Sequence, residues 1–98
     1  MKKFEMQKLN LQGSEKQIKW ATDIVADIYS TANNNIKLAH DNQWPNATKW
    51  EEAFEKIIGQ LEGFLSKTNQ AAVIISCRDR FDPERILSFA NKYVNFGK

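Results

Sequence analysis

The stretch Gly13-Ser14-Glu15-Lys16-Gln17-Ile18-Lys19-Trp20-Ala21-Thr22-Asp23-Ile24-Val25-Ala26-Asp27-Ile28-Tyr29 decides the fold class, because it joins a helix-start signal to a helical period. Gly13 punctuates the chain, Ser14 and Gln17 form a capping box, and Glu15 suits the positive end of a helix dipole. On a helical wheel Ile18, Ala21, Val25, Ile28, Tyr29, Ala32 and Ile36 fall within an arc of about 100°, the stripe that a core-facing helix needs. The pattern predicts a helix over 15–39. Trp20 and Ile24 lie outside that arc, four residues apart on the flank, where they touch each other but do not reach the same core line. They call for another covering element or a partner.

Upstream, Phe4 and Met6 alternate with Glu5 and Gln7, and Leu9 and Leu11 alternate around Asn10, so residues 3–11 read as a short strand or extended arm whose facing switches midway. Downstream, Asn33-Asn34-Asn35 are poor helix formers that compete for local backbone hydrogen bonds, which predicts a bend or break before Ile36 and Leu38 resume the apolar pattern. Residues 41–46, with Trp44-Pro45, form the clearest loop. Thr48 followed by Glu51 is a second capping box, and 49–66 carries the strongest helical pattern, with Trp50, Ala53, Phe54, Ile57, Ile58, Leu61, Phe64 and Leu65 on one face. Gly59 and Gly63 each cost about 0.5–1 kcal/mol inside this helix, and their spacing of four predicts close approach of a neighbouring helix.

In residues 69–78, Val73-Ile74-Ile75 favours strand, whereas Asn69 with Ala71 and Ala72 suits a capped short helix; helix is the preferred reading. Asp82-Pro83-Glu84 supplies an N-cap, a proline at the first helical position and a first-turn carboxylate, so a last helix is expected over 83–95. Ile86, Phe89, Ala90, Tyr93 and Val94 would pack it, and Gly97 would end it. The expectation is a mainly α fold, a compact bundle of about four helices preceded by a short N-terminal strand or extended arm, in a single domain over residues 1–98.

Composition narrows the class of function. A chain of 98 residues, 42% hydrophobic and 27% charged, is an ordinary globular composition with room for one core and not two. The net charge of +2 is too small to imply nucleic-acid binding and has the wrong sign for an acidic DNA mimic. Charge is unevenly placed, with Lys2, Lys3, Lys8, Lys16 and Lys19 against Glu5 and Glu15 near the start, and Glu51, Glu52, Glu55 and Glu62 in the middle. Cys77 is the only cysteine, which excludes an intramolecular disulfide and a cysteine-rich metal site and fits a reducing compartment. The opening residues lack the apolar run of a signal peptide, and no stretch reaches transmembrane length, so a cytoplasmic protein with no membrane partner is expected.

The run Gly13-Ser14-Glu15-Lys16-Gln17-Ile18-Lys19-Trp20-Ala21 resembles a motif of small hypothetical proteins of Gram-positive bacteria, their phages and mobile elements. Those proteins tend to carry an Ala-x-aromatic-Trp-Ile-x-x-Arg stretch before a final helix. Ala71-Ala72-Val73-Ile74-Ile75-Ser76-Cys77-Arg78-Asp79 is similar in register, with Val73 and Ile74 where the aromatic pair would stand. The resemblance implies a helical core and a mobile-element setting, in which small accessory proteins often act by binding host proteins, anti-CRISPR inhibitors being one group.

Catalytic patterns are sparse. His40 beside Asp41 is the one conceivable general-base pair, at a helix end where solvation is the ordinary role. Asp23 and Asp27 share a helix side without a third ligand, and Cys77 beside Arg78 has no histidine nearby in sequence. Phosphate-loop, nucleophile-elbow, kinase and zincin signatures are missing. The expected function is therefore binding and not catalysis, with no cofactor or metal. Arg78, Arg80 and Arg85 cluster around Phe81 among Asp79, Asp82 and Glu84, and their guanidiniums suit carboxylates or phosphates. Trp20, Ile24, Arg78, Arg80 and Arg85 are the expected contacts to a host protein or ribonucleoprotein. The alternative is a nucleic-acid partner, with Lys2, Lys3, Lys8, Lys16 and Lys19 on phosphates and Trp44 stacking on a base. A homodimer that hides Trp20 and Ile24 is a third reading.

Overall fold

The computed structural model describes residues 3–6 and 8–96. Among them are four α-helices and no strand: α1 (Glu15–Asp41), α2 (Ala47–Lys67), α3 (Ala71–Ser76) and α4 (Pro83–Phe96), with a 3-10 turn at Arg78–Phe81 between the last two. This is the mainly α bundle with an N-terminal arm that the periodicity predicts.

The capping box at the head of α1 forms: Gln17 N–H donates to Ser14 Oγ at 3.2 Å, and the Gln17 side chain accepts from Ser14 N–H at 3.1 Å. Gly13 turns the arm into the helix at a φ of +147°, and a Cβ there would stand 2.8 Å from Gln17 Oε1, the atom that closes the box. The apolar stripe of α1 is buried from Ala21 to Ala39, with Ile18 partly buried at its head.

α1 packs against α3, α2 and α4, and α2 carries most of the contact with α4. One core cluster results, with Phe54, Ile28, Ile36, Leu61, Ile74 and Val25 its largest fully buried side chains. The length of α1, about 40 Å at 1.5 Å per residue, sets the long dimension of the 45 × 22 × 20 Å molecule. No helix among the described residues is long and apolar enough to cross a membrane.

Within residues 69–78 the helical reading holds over Ala71–Ser76, capped at Gln70 and not by the Asn69 side chain. The extended arm meets this segment where Gln12 N–H donates to Asn69 C=O at 2.7 Å and Ala71 N–H donates to Gln12 C=O at 2.9 Å, a single parallel bridge between Gln12 and Gln70, with Gln70 Nε2 donating to Gln12 Oε1 at 3.5 Å beside it. Phe4, Met6, Leu9 and Leu11 of the arm pack on the core.

Four expectations are corrected. First, α1 does not break into two helices at Asn33-Asn34-Asn35 but runs through them. The Asn33 amide does not compete with its own helix; it accepts from Phe4 N–H and donates to Phe4 C=O, both at 2.8 Å, and so clamps the arm as a neighbouring strand would. Second, the Thr48 capping box does not form. α2 begins at Ala47 after Asn46, with no side-chain cap, so Thr48 lies inside the helix, and the Glu51 carboxylate is drawn to His40.

Third, Gly59 and Gly63 meet no neighbouring helix. An added Cβ at either would find nothing within 4 Å, because the two glycines sit on the exposed side of α2 while Ala53, Phe54, Ile58 and Leu61 fill the core. Fourth, Leu38 and Phe89, expected to continue apolar faces, are 50% and 41% exposed. Ile86, Ala90 and Val94 bury α4 without Phe89. Gly97 lies outside the described residues, and α4 extends through Phe96.

Candidate functional site

α3 ends at Cys77, whose N–H donates to the carbonyls of Val73 and Ile74, and the chain then tightens into the 3-10 turn with Arg80 N–H donating to Cys77 C=O at 3.0 Å. With three residues per turn, positions three apart share an edge, so Arg78 aligns with Phe81, Asp79 with Asp82, and Arg80 takes the remaining edge. Asp82 closes the turn by accepting from Glu84 N–H at 3.1 Å at the head of α4. Arg80 is thereby placed away from Asp79 and Asp82, whereas Arg78 stays beside them.

On one side lies a cleft of ≈ 220 Å³. Ile24, Phe81 and Pro83 supply its apolar wall, and Asp27, Asp79 and Asp82 its rim. Arg78 borders it, with Nη1 donating to Ile75 C=O at 2.9 Å and the guanidinium carbon 5.3 Å from the centre of the Trp20 ring. Trp20 is 50% exposed. Its indole is therefore covered on one face by a cation and open elsewhere, an arrangement worth about 0.5–1 kcal/mol at an exposed site. The structure thus brings together Trp20, Ile24 and Arg78, which the sequence presents as two separate groups.

Arg80 and Arg85 belong to a second surface. They flank a groove of ≈ 160 Å³ between α2 and α4, where Ile57, Phe81, Ile86 and Phe89 form the apolar floor and Gln60 one edge. Phe81 lines both depressions and meets Phe64 edge-on at 5.6 Å, which anchors the turn to α2. Among the described residues neither these two arginines nor Asp27, Asp79 and Asp82 are in an ion pair. Phe81, Phe89 and the three aspartates were not singled out as contacts from sequence. The three-residue spacing of Arg78 and Phe81, and the four-residue spacing of Arg85 and Phe89, are the signals that point to them.

The basic N-terminal candidates do not converge with Trp44. Lys3, Lys8, Lys16 and Lys19 are exposed, Lys19 is paired with Asp23 at 3.1 Å, and Lys2 lies outside the described residues. Trp44 sits in the loop beyond the far end of α1. Its ring is 5.7 Å from Trp50, which stacks on Phe54 at 6.1 Å, so it serves as the lid of an aromatic ladder.

His40 pairs with Glu51, Nε2 to Oε1 at 2.9 Å, and not with Asp41, which holds Lys37 at 2.9 Å. Cys77 is a free, partly buried thiol, and no three potential metal ligands converge among the described residues. Beneath the arm, a cleft of ≈ 270 Å³ is lined by Met6, Leu9, Val25, Leu65 and the Tyr29–Glu62 pair. Burial, followed by the charge and hydrogen bond of Glu62, holds the Tyr29 phenol above its usual 10.0.

Comparison with protein-family models, with curated proteins and with solved structures finds no significant match.

Proposed function

We propose that this chain acts by binding a protein partner through the edge where Trp20, Ile24 and Arg78 meet. The half-exposed Trp20 indole, held under the Arg78 guanidinium beside a cleft with an apolar wall and an acidic rim, carries this reading. Tryptophan and arginine are the side chains most enriched among residues that dominate interface energetics, and an indole already fixed by a cation loses little freedom on binding. The finer reading is an accessory protein of a phage or mobile element that inhibits or regulates a host system, with anti-CRISPR activity as one form. It is supported by the resemblance carried by residues 13–21 and 71–79.

Affinity capture from host lysate with the tagged chain and a Trp20→Ala, Ile24→Ala, Arg78→Glu variant tests the surface. The expected result is a protein or ribonucleoprotein held by the wild type and lost by the variant at unchanged far-UV circular dichroism. A folded variant that keeps every captured protein would show that the contact lies elsewhere. The nucleic-acid alternative makes a separate demand: because phosphate contacts strengthen steeply at low salt, a gel shift that is blank at about 50 mM salt removes it.

A further inference from the structure

We infer that the surfaces on either side of Phe81 are complementary to each other, and that a second copy of this chain is their occupant, in a closed dimer. The cleft beside Trp20 presents Asp27, Asp79 and Asp82 against the single cation Arg78, a local charge of −2. The groove beside Phe89 presents Arg80 and Arg85, a local charge of +2. Each surface holds charges that find no ion pair among the described residues, and each offers the sign that the other lacks. Both have an apolar floor, and each keeps one aromatic ring in water, Trp20 at 50% and Phe89 at 41% exposure.

The local geometry explains why the charges do not cancel within one copy. Asp82 and Arg85 are three residues apart at the head of α4, a spacing that allows pairing on a helix. Asp82 is instead occupied in capping Glu84 N–H and faces the cleft, while Arg85 lines the groove. Asp79 and Arg80 are neighbours that the 3-10 turn sends to different edges. The segregation leaves an acidic depression and a basic depression side by side.

Phe81 lines both depressions, and in the dimer inferred here a two-fold axis beside that residue sets the acidic cleft of each copy on the basic groove of the other, so that both contacts form at once. That operation closes the assembly, whereas a single cleft-to-groove contact repeated without the axis would grow a chain of copies. The residues around the two depressions are fewer than the roughly 20–30 per side of a standard interface, so the association is weak and strongly salt-dependent.

Sedimentation velocity on the purified full chain reads this directly. The expected result is a concentration-dependent shift from monomer to dimer at low salt, reversed by roughly 0.5 M salt, where screening shortens to a few ångströms. Two charge-reversed variants sharpen it, Arg80→Glu with Arg85→Glu, and Asp27→Lys with Asp79→Lys, both of which spare the Asp82 cap. Each alone is expected to remain monomeric with an unchanged helical spectrum, since its two surfaces now carry one sign. Mixed in equal amounts they are expected to form a heterodimer, because one copy is acidic and the other basic on both surfaces. A wild type that stays monomeric up to its solubility limit overturns the inference, as does a dimer that neither reversal weakens, a larger open assembly, or a mixture of folded variants that fails to associate. The dimer and the proposed partner would compete for one edge, since Ile24 and Arg78 line the acidic cleft, but the two readings fail separately: a dimer with no captured protein would sink only the partner reading, and a captured protein with a strictly monomeric chain would sink only the dimer.

Discussion

Asn33 and Asn35 stand two residues apart on α1 and have opposite energetic roles. Asn33 makes both hydrogen bonds to the Phe4 backbone, so Asn33→Ala is expected to lower stability by about 1–3 kcal/mol and to release the arm, because truncation strands a partly buried donor and acceptor together. Asn35 Oδ1 is buried with no hydrogen-bond partner among the described residues. Asn35→Ala removes that unsatisfied group and adds helix propensity, so it is expected to stabilise by up to about 1 kcal/mol. Paired urea denaturation curves check both signs, and amide exchange at Phe4 should accelerate in the first variant alone. Tyr29 gives the pH dependence at this scale. The fold raises its pKa by favouring the neutral phenol, so its contribution to stability is complete below the ordinary 10.0 and is lost as pH climbs through the raised value. In a Tyr93→Phe background, Glu62→Gln should move the phenolate absorbance midpoint back toward 10.0 while burial keeps part of the shift. Identical midpoints with and without the carboxylate would show that Glu62 does not act on Tyr29.

The glycines of α2 behave as an element-scale cost with no packing return inside this molecule. Since an added methyl at Gly59 or Gly63 meets open space, each Gly→Ala change is expected to raise stability by about 0.5–1 kcal/mol, read as a higher thermal midpoint. A loss of stability would mean that a surface does approach that face. At the head of α1 the sign reverses: Ser14→Ala removes an acceptor that α1 uses and should cost about 1 kcal/mol. The two cases show what periodicity and capping reveal in a sequence. Ser14 and Gln17 are read correctly because their bonds are local and nothing else competes for them. Thr48 and Glu51 have the same spacing, yet a histidine eleven residues before Glu51 in sequence takes the carboxylate. Asn33 is misread for the same reason, since its partner is twenty-nine residues away. Local patterns specify which segments are helical; long-range partners decide what the polar side chains within them do.

For the whole molecule, the inward faces of α1, α2 and α4 were largely visible in the sequence, because an apolar stripe has to face something and the chain has room for one core. The candidate surface was half visible. Trp20 and Ile24 stand out as flank residues and Arg78 as one of an arginine group, but only the packing of α3 on α1 puts that arginine over that indole, and only the turn around Phe81 separates Arg78 from Arg80 and Arg85. The shared core also fixes how the protein unfolds. α3 has six residues and α4 fourteen, lengths at or below what an isolated helix sustains in water, so both depend on α1 and α2 for their stability. Far-UV circular dichroism and tryptophan fluorescence, with Trp20 near one end of α1 and Trp44 and Trp50 beyond the other, are therefore expected to trace one coincident transition. Phe54, the largest fully buried side chain of the core, is where that cooperativity is most exposed to mutation. Phe54→Ala should cost about 3–5 kcal/mol, a large part of the roughly 5–15 kcal/mol total of a domain this size, and should lower both probes' midpoints together. If the two probes separate in this variant, with fluorescence lost before helicity, the Trp44–Trp50–Phe54 ladder is a local cluster and the core is not a single cooperative unit.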